Sequence, residues 1–123
     1  MKRKLIMDMA VLAGEVMLSS GAETYRVEDT MCHILRITEC ESIEAFALMT
    51  GIVATINGDE MEQPITVVRT IQSRSTNMNN IIKVNEISRR YCGGKLPLDE
   101  AYTQLKCVKE KQYRRRLCPR HYL

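Results

Sequence analysis

Between residues 42 and 71 the chain stops repeating at helical spacing and begins to alternate. The run S-I-E-A-F-A-L-M over 42–49 is partly two-periodic, I-V-A-T-I over 52–56 is β-branched and apolar, and I-T-V-V-R-T-I over 65–71 is a third run of that kind. β-branched residues suit a pleated, half-buried surface. Period two sends successive side chains to opposite faces. Three strands are therefore expected. Thr50-Gly51 interrupts the first two. Asn57-Gly58 is the strongest hairpin signal, because both positions tolerate positive φ. Pro64 stands at the start of the third strand, where its missing N–H takes nothing from the ladder.

Helical periodicity brackets this block. Leu5, Met9, Leu12 and Val16, widened by Ile6, Ala13 and Met17, predict an amphipathic helix over 3–19. Gly21 is placed to end it with a left-handed cap. Ser20-Gly-Ala-Glu23 also matches a capping box for the next helix. Both readings put a helix–helix joint at 19–23. A second helix over 23–38 would bury Val27, Met31, Ile34, Leu35 and Thr38. Beyond the strands, Asn77 can cap a third helix that carries Met78, Ile81, Ile82, Val84, Ile87 and Tyr91 on or near its inner side. Gly93-Gly94 ends it. Pro97 suits the first position of a fourth helix, with Leu98, Ala101, Tyr102, Leu105 and Val108 as its stripe. The order ααβββαα predicts an α+β fold: two N-terminal helices, a three-stranded mainly antiparallel sheet and two C-terminal helices.

A chain of 123 residues fits one domain. After Lys109 the pattern fails, so a domain over 1–109 and an unstructured basic tail over 110–123 are expected. Residues 106–123 hold seven Lys or Arg against one Glu, while the other residues hold 11 basic and 14 acidic side chains. The net charge of +3 therefore describes the tail, and no nucleic-acid partner is expected. The tail's charge could attach it to acidic lipid headgroups or RNA, and a solvated tail is the default reading. The most apolar stretch, residues 5–18, is interrupted by Asp8 and Glu15 and falls short of the roughly 20 residues that span a bilayer. A soluble cytoplasmic chain is the expectation.

Five cysteines without a CxxC argue for a reducing compartment rather than a disulfide framework. Cys118-Pro-Arg-His121, with Cys107 upstream, offers half a zinc site, but a second spaced pair is missing. No metal and no cofactor are expected.

Charged residues concentrate in GAETYRVEDTM, residues 21–31. Glu23, Arg26, Glu28 and Asp29 fall there, and Arg26 lies three residues from both Glu23 and Asp29, where side chains on neighbouring turns meet. One reading is a solvated acidic helix start that suits the helix dipole. Another is a small hydrolase using Glu23, Glu28 and Asp29 for acid–base or metal chemistry. Arg69 interrupts an apolar strand. Turned inward it needs a carboxylate, which the acidic segment could supply if the two approach each other; otherwise it points to solvent. Cys32 and His33 are helix neighbours about 100° apart and form no dyad with each other. GxSxG, HExxH, P-loop and GxGxxG motifs are absent. No catalytic residue is assigned.

The run GAETYRVEDTM resembles the signature of the threonine/serine exporter family in its N-terminal, ThrE-like domain. Thr50-Gly51-Ile52 resembles the family's T-G-I/F element, and Arg69 falls where the family has a basic strand residue. Arg74-Ser-Thr-Asn77 resembles its R-G-x-N loop, with Ser75 replacing the glycine. Val84-Asn-Glu-Ile-Ser-Arg-Arg90 and Gly94-Lys-Leu-Pro-Leu-Asp-Glu-Ala101 resemble two further elements, Pro97 standing for the usual Ser. The resemblance covers roughly residues 5–110. It implies export of small amino acids, or of dicarboxylates in related members, across the bacterial inner membrane. It implies a cytoplasmic domain that precedes membrane helices or pairs with a membrane subunit; the family's domain has been suggested to look hydrolase-like, but without a convincing catalytic set in these residues no enzyme activity is expected. Where the first such helix should begin, the chain reads RRRLCPRHYL. A truncated member, unable to transport alone, is therefore expected. Its partner would be a transmembrane subunit or domain of the same family, with homo-oligomerisation through exposed Met and Ile as a further option. The polar positions singled out are Glu23, Arg26, Glu28, Asp29, Arg69, Arg74 and Asn77, in a binding or structural role.

Overall fold

The first helix, α1 (Arg3–Ser19), is buried almost all round. Met7, Met9, Ala10, Val11, Ala13, Val16, Met17 and Leu18 are all 2% exposed or less. The expected amphipathic stripe understates this, because Ala10, Val11, Gly14 and Leu18 close the other side. A helix apolar on every face belongs inside a core. The computed structural model, which describes residues 2–72 and 74–117, packs α2 (Thr24–Leu35), α3 (Met78–Cys92), α4 (Leu98–Leu117) and the sheet around it. A short 3-10 turn, Arg36–Thr38, extends α2.

The sheet has the order β1-β2-β3, antiparallel throughout, from β1 (Ser42–Leu48), β2 (Gly51–Asn57) and β3 (Ile65–Thr70). The α+β expectation stands in every element. Ala47, Ile52, Ala54, Ile56 and Val67 turn to the core. The opposite face is left open. There Phe46, Val53 and Val68 lie opposite one another in a single cross-strand row, with Phe46 and Val68 more than half exposed.

Two connections differ from the sequence reading. The tight hairpin joins β1 to β2 through Met49 and Thr50, with Leu48 opposite Gly51. Asn57-Gly58 instead opens the longer β2–β3 loop, where the Gly58 N–H donates to Asn57 Oδ1 at 3.0 Å. Seven residues separate Asn57 from Ile65, too many for a two-residue turn. Gly51 allows close strand approach, since a Cβ there would lie 2.8 Å from the Arg69 carbonyl oxygen.

The expected tail also differs. Helix α4 continues to Leu117, and Gln112 is buried within the fold. Residues 110–117 are thus helical rather than unstructured. Cys118 and His121, the residues considered for zinc, lie outside the described residues.

Candidate functional site

The joint between α1 and α2 organises the polar chemistry. Gly21 takes φ +96°. The Gly21 N–H donates to Leu18 O and the Ala22 N–H to Met17 O. That pair of bonds is a Schellman cap, which favours glycine at its left-handed position. Glu23 stands at the N-terminus of α2 without a side-chain cap bond, so the C-terminal cap is the reading the structure adopts.

Arg74 closes this joint from the β3–α3 loop. Its Nε donates to Leu18 O at 3.0 Å and its Nη2 to Ala22 O at 3.1 Å. A guanidinium here gives Leu18 O a second donor beside the Gly21 N–H, binds the joint carbonyl of Ala22 and complements the negative end of the α1 dipole. The Ser75 N–H donates to Ser19 O and the Asn77 N–H to Ser20 O, both at 2.9 Å. Asn77 caps α3, its Oδ1 accepting from the Asn80 N–H at 3.1 Å. Arg74 and Asn77 are therefore explained by architecture.

Below them sits a buried polar node that sequence reading missed. Ser19 Oγ donates to Gln112 Oε1 at 3.1 Å, and Gln112 Nε2 donates to Ser20 Oγ at 2.9 Å. Asn80 Nδ2 reaches the same Ser20 oxygen at 3.5 Å. Four polar side chains thus tie α4 and α3 to the end of α1. Buried polar groups are tolerated when they satisfy one another in this way.

The acidic residues of GAETYRVEDTM part company. Glu28 points to the sheet, where its Oε2 accepts the Ala47 N–H at 2.8 Å. It caps the free edge of β1, along which α2 lies. Glu23 accepts a bond from the exposed Tyr25 hydroxyl at 3.0 Å, and that carboxylate raises the Tyr25 pKa. Asp29 faces α3. The shared carboxylate site that a hydrolase would need is not assembled. Among the described residues, no group of three or more His, Cys, Asp or Glu is placed to hold a metal.

The expected approach of Arg69 to this segment does not occur. Arg69 is exposed, and its Nη1 donates to Val68 O at 3.0 Å. The strand order explains why: α2 lies along β1, and β3 is the opposite edge.

What remains of the segment forms a cleft. Arg26, Asp29, Thr30 and His33 make one stripe of α2, at spacings of three, four and seven. Asn85, Ser88 and Arg89 make the facing stripe of α3. Together they line a shallow groove, open to solvent, of about 290 Å³. Arg26, Asp29, His33 and Arg89 are exposed, whereas Ser88 is 6% exposed and forms the floor. Two guanidiniums against one carboxylate suit an anionic group. Neither nearby thiol adds a nucleophile: Cys32 faces β1 on the other side of α2, and Cys92 meets only the backbone of His33. Burial pushes the Cys32 and Cys92 thiols up, and the Cys92 thiol donates to His33 O at 3.8 Å. Neutral thiols are poor nucleophiles. Spacing along α2 made Arg26 and Asp29 legible. Asn85, Ser88 and Arg89 lie within a segment noticed for its resemblance, but only the packing of α3 on α2 brings them opposite.

Comparison with known proteins agrees with the resemblance. Residues 8–119 match the family model ThrE, described as "Putative threonine/serine exporter". A protein of Mycobacterium tuberculosis (strain ATCC 25618 / H37Rv), described as "Probable threonine/serine exporter", is 22% identical over 108 residues. That alignment covers 88% of this chain and 20% of the relative, so the chain spans about a fifth of the curated protein it matches. No solved structure matches. A family match that extends from within α1 to the end of α4 takes in every element of the fold, and the chain belongs to the ThrE threonine/serine exporter family.

Proposed function

We propose that this chain is the part of a threonine/serine exporter system that works beside the membrane, at its cytoplasmic face, with the path through lipid supplied by a membrane-spanning domain or subunit of the same family. The observation that carries this reading is the match over residues 8–119 to an exporter family by a chain whose described residues contain no helix long and apolar enough to cross a membrane. A path through the bilayer requires spanning helices or a closed barrel. The relative is about five times as long as the matched segment, which leaves ample chain for such a path in that protein.

The open face of the sheet is the surface suited to the partner. Phe46, Leu48, Met49 and Val68 are each more than half exposed there or at its rim. Contiguous exposed apolar surface of this kind favours association over solvation. Threonine and serine are the expected cargo from the family, and dicarboxylates are the alternative.

The test is efflux from the native host, loaded with a threonine-containing dipeptide, with and without the gene for this chain. Deletion should slow threonine release, and the wild-type gene should restore it. A Phe46→Asp/Val68→Asp variant with an unchanged thermal midpoint should not. Unchanged threonine efflux on deletion would sink the proposal. Slowed succinate efflux instead would reassign the cargo.

A further inference from the structure

We propose that the α2–α3 cleft recognises a small α-amino acid zwitterion. Arg26 and Arg89 would hold its carboxylate, and Asp29 its ammonium group. The inference deepens the exporter reading and rests on it for the identity of the ligand as threonine or serine.

The argument begins with charges the fold leaves unused. Among the described residues, ion pairs join Arg3 to Glu60, Lys4 to Asp8 and Lys109 to Glu15. None of them involves Arg26, Asp29 or Arg89. Other polar residues of the same segments have structural tasks: Glu28 caps β1, Arg74 closes the α1–α2 joint and Asn77 caps α3. Among the described residues Arg26, Asp29 and Arg89 have none, yet they converge on one cleft from two helices.

The composition of the cleft selects the ligand. Two guanidiniums beside a single carboxylate exclude a simple cation. The single carboxylate in turn disfavours a dianion, because it repels the second negative charge. A zwitterion satisfies both: its carboxylate can accept paired bonds from planar guanidiniums, and its ammonium lies against Asp29. Thr30, Asn85 and Ser88 supply neutral donors and acceptors for a side-chain hydroxyl.

The experiment is a titration of the whole ¹⁵N-labelled chain with L-threonine and L-serine, followed by amide chemical shifts. Saturable shifts are expected at Arg26, Asp29, Thr30, Asn85, Ser88 and Arg89. N-acetyl-L-threonine, which lacks the ammonium, and L-threoninol, which lacks the carboxylate, should each bind at least about tenfold more weakly, equivalent to roughly 1.4 kcal/mol. Asp29→Asn and Arg89→Gln should weaken threonine binding about as much, with unchanged thermal midpoints, while Arg69→Gln should not. The absence of saturable shifts at these amides would overturn the inference. So would succinate or inorganic phosphate binding as tightly as threonine, which would make the cleft a plain anion site. Absent shifts with efflux still dependent on the chain would remove the cleft and leave the transport reading. Clear shifts with efflux independent of the chain would remove the transport reading alone.

Discussion

Replacing Gln112 tests whether the second half of α4 belongs to the folded body. Its amide makes two neutral hydrogen bonds, to Ser19 at 3.1 Å and Ser20 at 2.9 Å. Each contributes roughly 1 kcal/mol net. Gln112 is 7% exposed, so Gln112→Ala also removes a buried methylene at about 0.8 kcal/mol. The sum is about 3 kcal/mol. Gln112→Leu keeps the apolar volume and should cost about 2 kcal/mol, from the hydrogen bonds alone. The loss is limited because Ser19 Oγ still donates to Val16 O at 3.2 Å. Ser20 Oγ is worse placed, since its remaining partner is Asn80 at 3.5 Å.

Urea unfolding followed by circular dichroism measures both variants, with thermal melting as a second readout. One kcal/mol moves the midpoint of a domain this size by about 3–5 °C, so Gln112→Ala should melt about 10 °C lower. Ser20→Ala combined with Gln112→Leu should cost less than the two single changes added, because it removes both ends of one buried bond. Glu110→Ala, on the exposed side of the same helix, should stay within about 0.5 kcal/mol of the parent. A Gln112→Ala variant equally close to the parent would refute the reasoning, and residues 110–117 would then be a helix that does not dock.

Two further outcomes follow from the geometry. Glu28→Ala removes the acceptor of the Ala47 N–H; it should destabilise by about 1–2 kcal/mol and speed hydrogen exchange at the Ala47 amide relative to those of β2. Burial raises the Cys32 and Cys92 thiols above the ordinary value of 9.0. Protons are therefore held more tightly in the folded state, so this contribution is present below about pH 9 and is lost as pH rises through the folded values. Unfolding free energy should fall between pH 9 and higher pH, and a Cys32→Ala/Cys92→Ala variant should show a flatter dependence in the same titration.

The elements were legible because their signals are local. β-branched runs mark the strands, and the Gly21 and Asn77 caps mark helix ends by their own backbone requirements. The hairpin misassignment has a physical cause. Neither Met49 nor Thr50 takes a positive φ, so the β1–β2 turn carries none of the residues that primed turns demand. Gln112 was hidden for a different reason. It continues the buried spacing of Leu105 and Val108, but a search for apolar periodicity passes over a polar residue in an inward position. Only the serines at the end of α1, more than ninety residues away, make that position suitable for an amide. Arg69 failed in the converse way: a strand pattern gives the side of the sheet but not which helix lies along which edge.

This distinction bears on how the segment GAETYRVEDTM is understood. A recognisable run of residues invites the assumption that all of it serves one site. Here Gly21 shapes the joint, Val27 and Met31 enter the core, Glu28 secures a sheet edge, and Glu23 bonds its near neighbour Tyr25. Each of these positions is constrained by folding alone. Arg26 and Asp29 are not: neither has an ion-pair partner among the described residues, and an exposed charge of that kind contributes little to stability. Their substitution should therefore leave stability nearly unchanged while altering whatever the α2–α3 cleft does. Glu28 should behave in the opposite way, losing stability first and activity only as a consequence. Stability and ligand binding measured on the same variants thus separate the residues that build the exporter-family fold from those it presents.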